Sequence, residues 1–129
     1  MRRIESKIDV ASEEFRLNRA HNRGLADTLK QRQRDTRRER PARDLERLSR
    51  QNKMFVRDRI ELLLDPGTPF LELSTLAANT EYGGEVPGAG IVSGIGMVNG
   101  REIIIHADDA SVKGGAWYPL SVKKIVRTL

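Results

Sequence analysis

Residues 91–107 read IVSGIGMVNGREIIIHA, and this stretch predicts a β-hairpin at the centre of the fold. The first half alternates larger and smaller side chains, and Gly94 and Gly96 predict that another segment approaches one strand face closely. Asn99-Gly100 is a strong turn signal, because a type I′ turn needs positive φ at both central positions. The return strand contains Ile103-Ile104-Ile105, which predicts burial on both of its faces.

The residues before the hairpin predict a helix, a short strand and a loop. Asp65-Pro66-Gly67 ends the helix, residues 70–73 form the strand, and the glycine-rich residues 81–90 form the loop. The helix is predicted to be amphipathic from the spacing of four apolar residues, Val56, Ile60, Leu63 and Leu64.

A last helix is predicted to begin at Pro119, after a loop over residues 108–118. Its apolar residues share one face by their spacing: Val122, Ile125, Val126 and Leu129. The pattern is still running at Leu129 without a Gly or Asn cap, and the hairpin has only this helix to cover it. We therefore expect a truncated α/β chain.

The composition divides the chain into two parts. Residues 1–59 hold 18 Lys and Arg against 10 Asp and Glu, a net charge of +8. Residues 60–129 hold 5 against 8, a net charge of −3, and contain ten of the 11 glycines. We predict a basic helical N-terminal arm over residues 1–59 and the start of a glycine-rich domain over residues 60–129.

Several classes of protein are excluded by composition. The chain has no cysteine, which excludes disulfides, thiolate zinc sites and a cysteine nucleophile. No apolar run approaches the roughly 20 residues of a membrane span. The start, MRRIESKIDV, lacks an apolar signal core, and its acidic residues argue against a transit peptide. We expect a soluble protein of a reducing compartment, which is the cytoplasm, or the mitochondrial matrix in a eukaryote.

The arm is predicted to be helical. Ser12 is a good N-cap, Glu13-Glu14 suits the first turn, and Pro41 provides a first-turn residue or a break. Sparse apolar residues continue the helical period: Phe15, Leu25, Ala26, Leu29, Leu45, Leu48 and Phe55. The arginines suggest nucleic-acid binding, but interleaved acids and few aromatics favour a solvated or subunit-facing helix.

One loop carries the most plausible chemistry. Lys113-Gly114-Gly115, between a buried strand and a helix, would present an ammonium and backbone N–H groups to a phosphate-bearing ligand. It is not a phosphate-loop motif, because the lysine precedes the glycines. A ligand loop and a simple tight turn both remain open.

Other candidate residues have ordinary structural interpretations. Asp108 and Asp109 could form an acid–base pair, but such residues usually end a strand and satisfy loop amides. His106 with one carboxylate is a poor metal site, and His21 is expected to be exposed. Trp117-Tyr118 could stack on a ligand base or pack under the final helix. There is no Ser-His-Asp set, metal cluster or nucleophile elbow.

Two blocks of the sequence resemble a known family. FVRDRIELLLDPGTPFLEL, residues 55–73, and the stretch from Val86 to Leu129 are similar to the carboxyltransferase (β) subunit of biotin-dependent acyl-CoA carboxylases. Asp109–Gly115, followed by Tyr118-Pro119 and Lys123-Lys124, resembles the methylcrotonoyl-CoA branch, with the geranyl-CoA branch close behind. Parts of the arm also resemble that branch: Ser6–Asp9, Ser12, Phe15 and Asn18–Ala20.

The chain departs from the family in the connector. Glu39–Asp44 stands where relatives commonly have a glycine-rich loop, and Lys53–Arg59 stands where they have a Gly-Lys-Leu-x-Pro-Arg-Glu-Arg entry. The missing glycines and proline bear on the conformation of this connector and not on the family resemblance.

The resemblance implies an α/β fold of the ClpP/crotonase type, built from ββα units and preceded by the helical arm. Residues 90–107 and the helix from Pro119 would form its first unit. The implied reaction, in leucine degradation, transfers a carboxyl group from carboxybiotin to an acyl-CoA, with 3-methylcrotonoyl-CoA as the expected substrate. Backbone amides stabilise the enolate oxygens in this fold, so no side-chain acid is required. A decarboxylase of the same fold is an alternative, which Tyr118-Pro119 and Lys123-Lys124 disfavour.

The resemblance also implies the partners and the site. Biotin would be carried on a partner subunit or domain, and the full-length protein would be a homo-oligomer that binds neither membrane nor nucleic acid. The loop that faces CoA would consist of Ser111, Val112, Lys113, Gly114 and Gly115, with Lys113 near a CoA phosphate or the adenine. The oxyanion-hole glycines and biotin-facing half would lie beyond Leu129, so we predict no catalytic residue here and no activity from the 129 residues alone.

Overall fold

The computed structural model describes residues 5–129, which form two compact units. One unit extends to Arg32, and the other spans Gln33–Leu129. Residues 1–4, part of the segment assessed for a targeting signal, lie outside the described residues. No helix of the described chain is long and apolar enough to cross a membrane.

Four α-helices and three β-strands are present in the described residues, with short 3₁₀ turns at Tyr82–Gly84, Pro87–Gly90 and Lys113–Gly115. The helices are α1 (Glu13–Arg38), α2 (Ala42–Arg50), α3 (Val56–Leu63) and α4 (Pro119–Thr128). The strands are β1 (Leu71–Leu73), β2 (Ile91–Val98) and β3 (Arg101–Asp108).

The first unit contains the greater part of α1. The Ser12 hydroxyl accepts a hydrogen bond from the Phe15 N–H at 3.2 Å, which confirms the predicted N-cap. Leu25 and Leu29 of the thin apolar stripe are exposed, as is His21. That this helix is solvated or faces another subunit stays a prediction.

The sheet confirms the predicted hairpin. Its order is β1-β2-β3, with both neighbouring pairs antiparallel, and Val98 opposite Arg101 at the turn. Asn99 and Gly100 both have positive φ, at 51° and 73°. The Asp65 carboxylate accepts hydrogen bonds from both of their N–H groups, at 2.7 and 2.8 Å. Asp65, two residues beyond the end of α3, therefore caps the hairpin turn.

One face of the hairpin forms the hydrophobic core. Val92 of β2 and Ile105 of β3 pack against Val56 and Ile60 of α3. Gly94 lies where a Cβ would come within 2.5 Å of the Leu71 backbone oxygen, so the predicted close approach is confirmed.

Two predictions of burial were wrong. Leu63 is exposed, because α3 ends there and the following residue, Leu64, turns onto the core instead. Ile104 is 47% exposed, because it lies on the sheet face opposite the hydrophobic core. Only the α3 side of the Ile103–Ile105 run is covered by the core.

The segment between α2 and α3 is not helical, although the sequence predicts a helical period that continues from Leu48 to Phe55. Asn52 adopts positive φ, at 51°, and its N–H bonds the Ser49 carbonyl at 3.0 Å. The Lys53 N–H returns to the Leu48 carbonyl at 2.9 Å, which completes a Schellman termination. Phe55 is consequently the N-cap of α3 rather than a residue of the same helix as Leu48.

The prediction of which face of α4 is buried was wrong. Val122, Val126 and Leu129 are 46%, 67% and 83% exposed. The helix buries a polar face instead: Ser121, Lys124 and Thr128. The physical reason is the surface that α4 meets, which offers backbone carbonyls and an imidazole for hydrogen bonding rather than apolar side chains.

Candidate functional site

The loop after β3 combines a buried base with an exposed tip. Ser111 and Val112 are almost fully buried, whereas the side chain of Lys113 points outward. Lys113, Gly114 and Gly115 have successive positive φ values of 46°, 74° and 88°. This left-handed run suits glycine and is unusual for lysine, so the backbone of the tip is held in a costly conformation.

A buried ion pair holds the base of this loop. Arg40, in the connector between α1 and α2, donates to Asp109 from Nη2 at 2.7 Å and from Nε at 3.2 Å. The two side chains are 3% and 2% exposed. Arg40 Nε also donates to the Ser111 hydroxyl at 3.0 Å, and that hydroxyl donates to Asp109 Oδ1. The network leaves no polar side-chain atom in it unsatisfied.

The two aspartates therefore do not act as a pair. Asp109 directly follows β3 and accepts the Ser111 N–H at 3.0 Å, which matches the structural interpretation. Asp108 accepts from the Trp117 indole N–H at 2.8 Å. Sequence reasoning missed Arg40, because no local pattern connects residues that lie 69 positions apart.

Helix α2 fixes the loop from a second side. Arg47 donates from Nη2 to the Ala110 carbonyl at 3.1 Å, and its Nη1 lies 3.2 Å from Asp44 Oδ1. The base of the loop, residues 109–112, is thereby attached to α2 and to the connector before it. The exposed tip is free of these contacts.

The Lys113 ammonium forms an exposed ion pair with Glu85, from the loop before β2. The hydrogen bond and attraction to Glu85 raise the pKa of Lys113, and the same hydrogen bond and charge lower the pKa of Glu85. Arg43 lies close enough to act electrostatically on both groups. Lys113 is therefore a cation at neutral pH.

Two clefts lie on either side of the loop tip. A cleft of about 550 Å³ separates α2 from the loops, and eight charged residues line it. Five are cations and three are carboxylates: Arg40, Arg43, Arg47, Arg50 and Lys113, and Glu39, Asp44 and Glu85. We call this the cationic cleft. A cleft of about 730 Å³ lies on the glycine side, and its lining includes Lys53, Met54, Arg59, Leu62, Gly114 and Gly115.

The loop before β2 is held by a buried lysine, which sequence reasoning also missed. Lys124 of α4 donates to the Gly88 and Ile91 carbonyls at 3.0 and 2.6 Å. Burial lowers its pKa from 10.5 to about 8. The Gly90 carbonyl in turn accepts the Asp109 N–H at 2.9 Å, so this lysine supports the same loop base from behind.

The remaining candidates are not gathered at this site. The Nδ1 atom of His106 lies 3.0 Å from the Ser93 hydroxyl, a structural contact. No group of three or more metal-ligating side chains occurs within residues 5–129. Trp117 is 60% exposed, so of the two alternatives it does not pack under the last helix. The Tyr118 ring instead lies 4.8 Å from the Tyr82 ring.

The sequence of residues 48–129 matches the family described as Carboxyl transferase domain. The chain belongs to this family. Among curated relatives, it is 59% identical over 75 residues to the biotin-dependent 3-methylcrotonyl-coenzyme A carboxylase beta1 subunit of Mycobacterium tuberculosis. This match covers 58% of the chain and 14% of the relative. It is 41% identical over 125 residues to the probable mitochondrial methylcrotonoyl-CoA carboxylase beta chain of Drosophila melanogaster. This match covers 96% of the chain and 22% of the relative.

Solved structures agree with the family assignment. The beta subunit of Pseudomonas aeruginosa geranyl-CoA carboxylase matches 97% of this carboxyl transferase chain, with a TM-score of 0.66 and 32% identity. The transcarboxylase 12S structure matches 82%, with a TM-score of 0.68 and 28% identity. The chain spans less than a quarter of each of these proteins. The expected crotonase-type α/β fold with a helical N-terminal region is thus confirmed.

Proposed function

We propose that this chain is part of the carboxyltransferase component of a biotin-dependent acyl-CoA carboxylase whose substrate is 3-methylcrotonoyl-CoA. The observation that carries the proposal is the loop after β3, which presents a cation and two glycines on a rigid buried base within a carboxyl transferase sequence. The names of the M. tuberculosis and D. melanogaster relatives support the choice of substrate.

In this proposal, Ser111, Val112, Lys113, Gly114 and Gly115 form a CoA-binding loop. The Lys113 ammonium attracts a phosphate, and the two glycines let the ligand approach the backbone closely. A Cβ placed at Gly114 meets no atom within 4 Å, so the space beside the tip is open to a ligand. The tip is anchored on the buried Ser111 and Val112, and an anchored loop pays a lower entropic cost on binding than a free one.

Carboxybiotin, carried on a partner subunit or domain, would supply the carboxyl group, which becomes bonded to the activated carbon of the acyl-CoA. No residue of this chain is assigned to biotin. We also propose that these 129 residues alone do not catalyse the transfer, because a single ββα unit cannot enclose both reactants. Carboxylation of methylcrotonoyl-CoA by the purified chain would overturn this part of the proposal.

The Lys113→Ala substitution tests the loop. In a complete carboxyltransferase subunit that contains this chain, we expect the KM for the acyl-CoA to rise about tenfold, because a charge-assisted contact to phosphate is lost. We expect kcat to change little, since the contact is far from the reacting carbon. Lys123→Ala, at an exposed lysine of α4, is the control and should leave both constants unchanged. An unchanged KM for the Lys113 variant would contradict the assignment.

A further inference from the structure

The cationic cleft has more positive charge than the loop tip alone requires. We propose that it binds a phosphate of the nucleotide end of the ligand, and that Glu85 occupies the position of this phosphate in the ligand-free chain. The inference rests on the proposed function, because Lys113 belongs to both the CoA-binding loop and the cleft.

The cations of the cleft divide into committed and available groups. Arg40 is committed to Asp109 and Ser111, and Arg47 is committed to the Ala110 carbonyl and to Asp44. Arg43 is available, because its side chain is 81% exposed and lies 3.8 Å from its nearest carboxylate. The Arg50 side chain forms no ion pair or hydrogen bond within the described residues. Two guanidinium groups and the Lys113 ammonium therefore line the same cleft without a close carboxylate partner, in the described part of the chain, other than Glu85.

Glu85 is the group that such an anion would displace. Its side chain is 64% exposed, and within the described residues its ion pair is with Lys113. An exposed ion pair of this kind contributes little to stability. A phosphate carries about two negative charges at neutral pH and three strong acceptor oxygens, so it binds a lysine–arginine cluster better than one carboxylate does.

This arrangement makes Glu85 an internal competitor of the ligand phosphate. Removal of its charge should tighten binding of phosphate-bearing ligands, whereas removal of Arg50 or Arg43 should weaken it. Glu81 provides a matched control, because it is an exposed glutamate of the same loop that does not line the cleft.

The experiment is calorimetric titration of the 129-residue chain at low salt with CoA, 3′-dephospho-CoA and pantetheine. We expect Glu85→Gln to tighten CoA binding about three- to tenfold and Glu81→Gln to leave it unchanged. Arg50→Gln should weaken CoA binding by a similar factor. If the 3′-phosphate is the bound group, neither the Glu85 nor the Arg50 substitution should affect 3′-dephospho-CoA; if the pyrophosphate is bound, both ligands should respond equally. Pantetheine, which lacks phosphate, should not respond.

The outcomes separate the two proposals. If Lys113→Ala weakens CoA binding but Glu85→Gln and Arg50→Gln do not change it, the cleft inference is wrong and the proposed CoA loop stands. If CoA does not bind the wild-type chain at all, the proposed CoA-binding loop is contradicted. Titration with adenosine 3′,5′-bisphosphate then tests the cleft by itself. Binding of this probe that Glu85→Gln strengthens would support the cleft, and no binding to any variant would overturn it.

Discussion

At the scale of single residues, Arg40 organises the loop more than any residue of the loop itself. Its guanidinium bonds Asp109 and Ser111, donates from Nη1 to the Thr36 carbonyl at 3.0 Å, and lies 5.7 Å from the centre of the Phe55 ring. A planar, permanently charged group with several donors is needed for such an arrangement.

We expect Arg40→Met to destabilise the chain by about 3 kcal/mol or more, because it leaves the Asp109 carboxylate buried without its counter-charge. Urea unfolding followed by the fluorescence of Trp117, the only tryptophan, measures the change. Arg43→Met is the matched control and should change stability by less than about 0.5 kcal/mol, because its side chain is exposed. A loss below about 1 kcal/mol for the Arg40 variant would contradict the role given to the ion pair.

At the scale of secondary-structure elements, the hairpin is held by close approach on one face and by polar contacts on the other. On the core face, a Cβ at Gly94 would come within 2.5 Å of both the Phe70 ring and the backbone oxygen of Leu71 in the neighbouring β1. On the opposite face, α4 attaches through Ser121, whose hydroxyl donates to the Ala89 carbonyl at 2.7 Å, and through Lys124. The apolar face of α4 is consequently left exposed.

We expect Gly94→Ala to destabilise the sheet by about 2–3 kcal/mol, because the added methyl group overlaps the Leu71 backbone oxygen, which cannot move without breaking the β1 pairing. Thermal unfolding should show a lower Tm. Gly24→Ala is the contrasting substitution, since no atom lies within 4 Å of its Cβ position in α1, and there helicity should increase. An unchanged Tm for Gly94→Ala would show that β1 does not lie so close.

At the scale of the whole molecule, buried charge links the segments of the second unit. Arg57 of α3 donates to both oxygens of Glu72 in β1 at 2.8 Å, and Arg37 at the end of α1 donates to the same carboxylate at 3.0 Å. Burial alone would raise the pKa of Glu72, but the hydrogen bonds and charges of Arg57 and Arg37 together lower it. Lys124 is the opposite case, a buried cation with two carbonyl partners and a lowered pKa.

The global stability should depend on pH through Lys124. Its pKa of about 8 in the folded chain lies below the ordinary value of 10.5, so the unfolded chain binds more protons between these pH values. The cost of burying the charge is full below pH 8 and is relieved as the pH rises to 10.5. Stability relative to Lys124→Met should therefore rise over this window, by roughly 3 kcal/mol.

Chemical denaturation of both proteins at several pH values between 7 and 10.5 measures this effect. Lys123→Met controls for loss of a lysine, because its exposed side chain should show no such pH dependence relative to the wild type. A constant difference between the wild type and Lys124→Met across the window would show that the lysine is not desolvated as described.

Local sequence determined most of the framework. The Asn99-Gly100 turn, the two strands beside it, the Ser12 cap and the start of α4 at Pro119 all follow from neighbouring residues, and all are confirmed. The family was likewise visible in residues 55–73 and 86–129, because its motifs are continuous in sequence. The Lys113-Gly114-Gly115 loop was recognisable for the same reason, although its ligand stays a prediction.

Only the tertiary structure decided which residues support that loop. Arg40 reaches Asp109 across 69 positions, and the helical period of α4 predicted burial of Val122 and Val126 while the fold buries Lys124. Periodicity reports the hydrophobic effect, which is non-directional and favours apolar faces. A buried hydrogen bond or ion pair instead depends on where a distant partner lies, and that position exists only once the chain has folded.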